Sequence, residues 1–222
     1  MEMGKDKLKR FSQILTFGNV IQPKINFHSN DDDLKGNWST VFNNNNPIVL
    51  ELGCGAGEYT VALAKDYPKK NFIGIDIKGA RIWKGAKTAL DEGLNNVRFL
   101  RTKVDFITKF FGENEVNEIW LTFSDPQPKK PKKRLSSKLF TDRYLEFLKI
   151  NGVIHLKTDS DLLYDFTLEE IKSNNFKLLK NIANVYKESY ENSQELKKTL
   201  FIKTFYEKKW LDLEKTIKYL AF

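Results

Sequence analysis

The chain has 222 residues, a formal net charge of +8, an isoelectric point near 9.3 and 41% hydrophobic residues. That length builds one full core, and that charge points to an anionic partner, nucleic acid first. A single cysteine excludes an intrachain disulfide, the pattern of a reducing cytoplasm, and no apolar run or leader pattern suggests a membrane span or secretory signal.

Residues 1–46 read as a basic, partly flexible amino-terminal extension. Lys5, Lys7, Lys9 and Arg10 open it, Asp31 to Asp33 form an acidic turn, and Asn43 to Asn46 form a polar linker. Residues 47–222 read as one domain. Strands are expected at 48–52, 72–75, 97–100, 118–123 and 153–157. Helices are expected at 58–65, 79–92, 140–150 and 161–174. Such alternation predicts an α/β fold of Rossmann-like type, a mostly parallel sheet with helices on both faces and right-handed crossovers. The apolar run at 200–206 is expected to close the sheet as an antiparallel hairpin.

The chain is organised around residues 47–59, Pro-Ile-Val-Leu-Glu-Leu-Gly-Cys-Gly-Ala-Gly-Glu-Tyr. A β-branched and leucine run is followed by Gly53, Gly55 and Gly57, then by helical spacing. Strand, glycine loop and helix form the first turn of a nucleotide-binding α/β fold. A dinucleotide fingerprint needs glycine at position 58, where this chain has Glu58. Glu51 adds a second acid beside the loop. Acids here repel a pyrophosphate and suit a cationic ligand such as S-adenosylmethionine. Asp76 follows Gly53 by 23 residues, at the tip of the second strand, where a carboxylate accepts hydrogen bonds from a ribose diol. Cys54 reads as a small packing residue.

After the fourth strand come residues 123–134, Phe-Ser-Asp-Pro-Gln-Pro-Lys-Lys-Pro-Lys-Lys-Arg. Asp125 falls at the carboxyl end of the strand, the ligand-binding edge of open α/β sheets. Pro126 and Pro128 hold the loop extended. Lys129, Lys130, Lys132, Lys133 and Arg134 read as a phosphate-binding run. With 31 lysines against 6 arginines, point-charge phosphate contacts are favoured over bidentate base reading.

These stretches resemble the bacterial tRNA (guanine-N7)-methyltransferase family, within the class I S-adenosylmethionine-dependent methyltransferases. The resemblance rests on Glu51-Leu-Gly-Cys-Gly-Ala-Gly57, Gly74-Ile-Asp-Ile-Lys-Gly-Ala-Arg81, Ser124-Asp-Pro-Gln-Pro-Lys-Lys130, His155-Leu-Lys-Thr-Asp159 and Thr204-Phe-Tyr-Glu207, in order along the chain. It implies methyl transfer from S-adenosyl-L-methionine to N7 of guanine 46 in the tRNA variable loop. It implies cofactor contacts from Glu51, Gly53, Gly55, Gly57, Asp76 and Asp125, a catalytic role for Asp125, and substrate contacts from Lys129, Asp159, Thr204 and Glu207. The run from Lys130 to Arg134 matches the RNA-contacting loop. Two departures stand out. Lys103 aligns where the family carries an acid beside the adenine, with Asp105 two residues on. Gln127 stands in place of a tryptophan, in a shorter loop without histidine.

Guanine N7 is a lone pair with no proton to remove, so no general base is required. Asp125 then positions the base and compensates charge. Asp159 and Glu207 are expected to accept from guanine N1–H and the exocyclic amine. The expected partner is tRNA, with no membrane, no metal and no obligate protein partner, for a cytoplasmic monomer or homodimer. Three other readings stay open: a methyltransferase for another acceptor such as rRNA or a small molecule, a non-catalytic RNA-binding module, and a nicotinamide oxidoreductase.

Overall fold

A computed structural model describes residues 2–190 and 193–222. The side chains of Lys5 and Lys7 lie outside the described residues. An eight-stranded sheet runs in the order β1-β4-β3-β2-β5-β6-β8-β7. Its centre is β2 (Ile48–Leu52), flanked by β3 (Asn71–Ile75) and β5 (Val116–Thr122), both parallel to it. Every residue of β2 and β3 is buried. Both faces of these strands are covered, which explains why they are mostly apolar, with Glu51 and Asn71 as the buried polar exceptions. Beyond β3 lies β4 (Val97–Leu100), and beyond β5 lies β6 (Leu148–Thr158), again parallel.

The chain runs outward from β2 through β3 to β4, then returns across the sheet to β5 and β6. The reversal falls between β2 and β5, and the loops leaving those strands part there to open a crevice. Helices α3 (Glu58–Asp66), α4 (Gly79–Asp91), α5 (Lys138–Leu145) and α6 (Asp161–Ser173) make the connections. Among the described residues no helix is long and apolar enough to cross a membrane.

Within residues 8–46, side chains and a strand pack on this domain more fully than the composition suggests. Helix α1 (Glu2–Ile14) packs on α4: Trp83 donates to Gln13 Oε1 at 2.9 Å, and the Arg10 guanidinium is 5.0 Å from the Trp83 ring centroid. Strand β1 (Val20–Ile21) pairs with β4 and covers that edge. Trp38, in α2 (Trp38–Phe42), is fully buried, stacked on Phe111 and bonded through Nε1 to the Phe110 carbonyl.

Two expected elements move. The helix expected over 140–150 ends at Leu145. Phe147 is buried and its carbonyl accepts from Val116, so the chain is already joining the sheet, and Ile150 is left 85% exposed on the extended strand. The antiparallel pair is present, but residues 200–206 do not form it. It is made by β7 (Lys180–Ile182) and β8 (Lys218–Ala221), with β8 also pairing antiparallel to β6. Leu200 ends α7 (Gln194–Leu200) and Phe205 opens α8 (Phe205–Asp212). The apolar residues of that run do not alternate between core and solvent as a strand requires: Leu200 is buried while Phe205 and Tyr206 are both exposed.

Candidate active site

The loop after β2 is held by backbone bonds to the neighbouring strand. The N–H groups of Gly53 and Cys54 donate to the Ile75 carbonyl at 2.8 and 3.0 Å. Gly55 N–H donates to Asp76 Oδ2 at 3.1 Å, and Lys78 N–H to Asp76 Oδ1 at 2.7 Å. Asp76 is thus locked in place with lone pairs to spare, since each carboxylate oxygen accepts more than one bond. Gly53 lies in the left-handed region at φ 75°, and a Cβ there meets nothing nearer than Leu135 Cδ1 at 3.9 Å. Its backbone faces open space that a ligand can enter. Gly57 differs. A Cβ there lands 2.5 Å from the Phe99 ring and 3.3 Å from Gly85 Cα. Its role is close packing of the loop on α4 and β4, not ligand approach.

Glu51, expected as a cofactor contact, lies behind the loop at 4% exposure. One oxygen accepts from Thr60 N–H and hydroxyl, and the other accepts from the Thr122 hydroxyl. Burial pushes its carboxyl up to about 7, against the opposing pull of the Thr122 and Thr60 bonds. It therefore fastens the start of α3 to the end of β5. Cys54 is buried, and burial raises its thiol well above the usual range.

The opposite wall is the loop after β5. Phe123 and Gln127 both adopt positive φ, 48° and 42°, an uncommon conformation that bends the chain sharply around Asp125. Asp125 is exposed, and its Oδ1 accepts from Gln127 N–H at 2.9 Å. Ser124 Oγ is buried with no partner among the described residues.

Gly53, Asp76, Asp125 and Asp159 all line one cleft of about 1040 Å³, together with Arg81, Tyr206, Trp210 and Lys215. Asp159 is paired with Lys215 at 2.8 Å. A recess of about 400 Å³ adjoins it past Gly53 and Asp76, with Ile77, Val104 and Leu135 as apolar walls and Lys103 and Asp105 at its margin. Asp76 lines both the recess and the main cleft, so an apolar-walled pocket adjoins the carboxylate. The residues present therefore fit an adenosine-bearing cofactor.

Several expected site residues are elsewhere. Glu207 is fully buried, with one oxygen 2.7 Å from Lys157 Nζ and the other accepting from the Tyr186 hydroxyl at 2.8 Å. It has no free edge for a guanine. Thr204 caps α8, its hydroxyl accepting from Glu207 N–H at 3.2 Å. Thr-x-x-Glu is the sequence pattern of a helix amino terminus, so that role was readable from spacing alone. Arg134 is only 4% exposed. Its Nε donates to the Pro126 carbonyl at 2.8 Å and its guanidinium lies 4.3 Å from the Phe166 ring centroid. It clamps the Asp125 loop from within and is withdrawn from the RNA-contacting set. Lys129, Lys130, Lys132 and Lys133 are exposed, Lys133 lying 3.3 Å from Asp105. Lys129 does not line the cleft. Lys157, Tyr206 and Lys215 were not anticipated.

A doubly wound sheet, a glycine loop after its central strand, an acid at the next strand tip and a cleft at the switch point define a class I methyltransferase architecture. A family described as "Putative methyltransferase" matches residues 45–220. A tRNA (guanine-N(7)-)-methyltransferase of Bacteroides fragilis is 48% identical over 99% of this chain and 86% of that protein. One of Christiangramia forsetii is 49% identical over 98% and 97%. Among solved structures, the 16S rRNA methyltransferase KamB superposes with a TM-score of 0.61 at 12% identity, covering 87% of this chain and 94% of that one. The last likeness concerns the fold alone. The chain belongs to the tRNA (guanine-N(7)-)-methyltransferase family.

Proposed function

We propose that this protein methylates N7 of a guanine in tRNA, at position 46 of the variable loop. The methyl donor is S-adenosyl-L-methionine, which when bound supplies an electrophilic methyl group. The observation that carries the reading is the single cleft that holds Asp76 on one wall and Asp125 on the other. Asp76 accepts from the ribose diol, and the recess beside Lys103 takes the adenine. Position 46 rests on the family motifs alone.

The chain's own residues have a limited task. N7 carries no proton, so no base need remove one. The guanine ring becomes cationic as the bond forms, and Asp125 compensates that charge while holding the base edge. Alignment within a near-attack distance supplies the rest. Asp159 keeps one carboxylate oxygen clear of its Lys215 pair and accepts from the guanine's N–H groups, which discriminates against adenine. Lys129, Lys130, Lys132 and Lys133 grip phosphates flanking the target. The test is to incubate bulk tRNA with radiolabelled S-adenosylmethionine and map the label. Label at guanine N7 of the variable loop is expected; label on another base, or none, defeats the reading.

A further inference from the structure

A buried charge pair that the reaction does not use lies behind the cleft. Lys157, on β6, and Glu207, in the first turn of α8, are both fully buried. Lys157 also donates to the Leu200 and Ile202 carbonyls at 2.6 and 3.0 Å. Such a pair seldom adds stability over apolar residues of equal volume, so its value lies in the geometry it fixes. What it fixes is the start of α8. The carbonyls ahead of that helix are pinned to Lys157, and Phe205 N–H donates to Glu58 Oε2 at 2.7 Å, at the first residue of α3. The Lys157 ammonium is also 5.8 Å from the Phe123 ring centroid, on the strand end that leads into Asp125. The two walls of the cleft therefore share one anchor.

Tyr206 lies between the capping Thr204 and the anchored Glu207. It lines the cleft with Asp125, is 48% exposed, and its hydroxyl has no hydrogen-bond partner among the described residues. The Phe205 and Tyr206 rings meet nearly at right angles, with centroids 5.7 Å apart. The other α8 aromatic in the cleft, Trp210, has the Lys215 ammonium 4.0 Å from its ring centroid, so its face is engaged. Asp125 and Asp159 address the edges of a purine, and neither addresses its face. Resting on the reading of this cleft as the guanine site, we infer that Tyr206 is the surface on which the acceptor guanine stacks, and that Lys157 and Glu207 are positioning residues that hold it opposite Asp125. The electron-rich phenol face attracts the base more strongly as the ring becomes cationic, so the contact strengthens toward the transition state, where it aids the rate.

The experiment is single-turnover methylation of a tRNA transcript at saturating cofactor, with cofactor affinity measured by calorimetry. Tyr206→Ala should slow transfer roughly 10- to 100-fold, the range that one aromatic–base stack accounts for. Cofactor affinity should hold, and Tyr206→Phe should recover most of the loss because the ring face survives. The paired replacement Lys157→Met with Glu207→Leu removes both charges at similar volume. It should melt lower than wild type, because the Leu200 and Ile202 carbonyls lose their donor, yet assayed well below its melting temperature it should slow transfer, and it should not add to Tyr206→Ala. Wild-type-like transfer by Tyr206→Ala, or a Tyr206→Phe as slow as Tyr206→Ala, overturns the stacking role. A paired variant that, while folded, transfers at full rate, or whose loss adds in full to that of Tyr206→Ala, overturns the positioning role. These failures occur in a wild type that methylates guanine N7. A wild type that does not is instead the failure of the reading beneath.

Discussion

On the cofactor wall the functional group is held by backbone. Asp76 is fixed by two main-chain N–H groups, from Gly55 and Lys78, in the loops that follow the adjacent parallel strands β2 and β3. On the acceptor wall Asp125 has a single backbone bond, from Gln127 N–H, and the surrounding groups are held by side chains, two of them from distant parts of the chain. Asp159 pairs with Lys215, the Asp125 loop is clamped by Arg134, and α8 is anchored by Lys157. A backbone-held site tolerates side-chain change around it and follows from local motif. A side-chain-held site depends on each partner and on the register of elements far apart in sequence. The contrast fits the division of labour in the proposed function, in which the first wall meets one invariant small molecule and the second a folded RNA.

The largest effect is expected at Asp125. Asp125→Asn keeps the shape and the bond from Gln127 N–H, and removes the charge. Single-turnover methylation should fall roughly 100-fold, in line with losing one charge-stabilising group, while tRNA affinity changes little. An unaltered rate makes Asp125 a loop anchor and removes it as the charge-compensating group of the acceptor wall.

That contrast also explains what the sequence made legible. The strands over 48–52 and 97–100 match residue for residue, because each is a short apolar run bounded by turn residues. The glycine loop and Asp76 were readable because their spacing is local. Glu207 and Arg134 were misread because their partners, Lys157, Tyr186, Pro126 and Phe166, meet them only in the folded chain. The Leu200 to Tyr206 run was ambiguous to composition, since apolar residues there serve a helix end, a buried connection and a cleft lining in turn.

Next in size is Asp76→Ala. Losing a hydrogen bond to a charged acceptor costs about 1.5–3 kcal/mol, so S-adenosylmethionine affinity by calorimetry should drop roughly 10- to 150-fold. tRNA affinity should stay near wild type, because Asp76 belongs to the other wall. A parallel loss of tRNA binding erases the separation between the walls.

A smaller effect distinguishes neighbours in one basic run. Replacing Lys129, Lys130, Lys132 and Lys133 by Ala should weaken tRNA binding and flatten its salt dependence, by about 0.7–0.9 in log–log slope per phosphate contact removed. Arg134→Ala should leave the slope unchanged and lower the melting temperature, since its guanidinium is buried against Phe166. Equal slopes for both variants and wild type return the lysines to the role of a solvated loop.

The last effect concerns Glu51; it is spread over pH and touches stability rather than activity. Its carboxyl titrates near 4.5 in the unfolded chain and near 7 in the folded one, chiefly because burial penalises the charged form. Between those values the folded state holds a proton that the unfolded state has lost. The stability this contributes is complete below about pH 4.5 and is lost as pH rises through 7, at a slope of at most about 1.4 kcal/mol per pH unit. Glu51→Gln fills the same space, offers Thr60 an acceptor oxygen, and turns an amide toward Thr122, whose hydroxyl then accepts. The variant carries no titrating group there, so its stability should decline less than wild type between pH 5 and pH 8. The quantity to compare is the urea midpoint of each protein across that range, because other carboxylates cancel in the difference. Superimposable profiles would mean that the carboxyl is ionised throughout, with Thr60 and Thr122 outweighing burial. The base of the glycine loop would then be held by a charge rather than by a neutral acid.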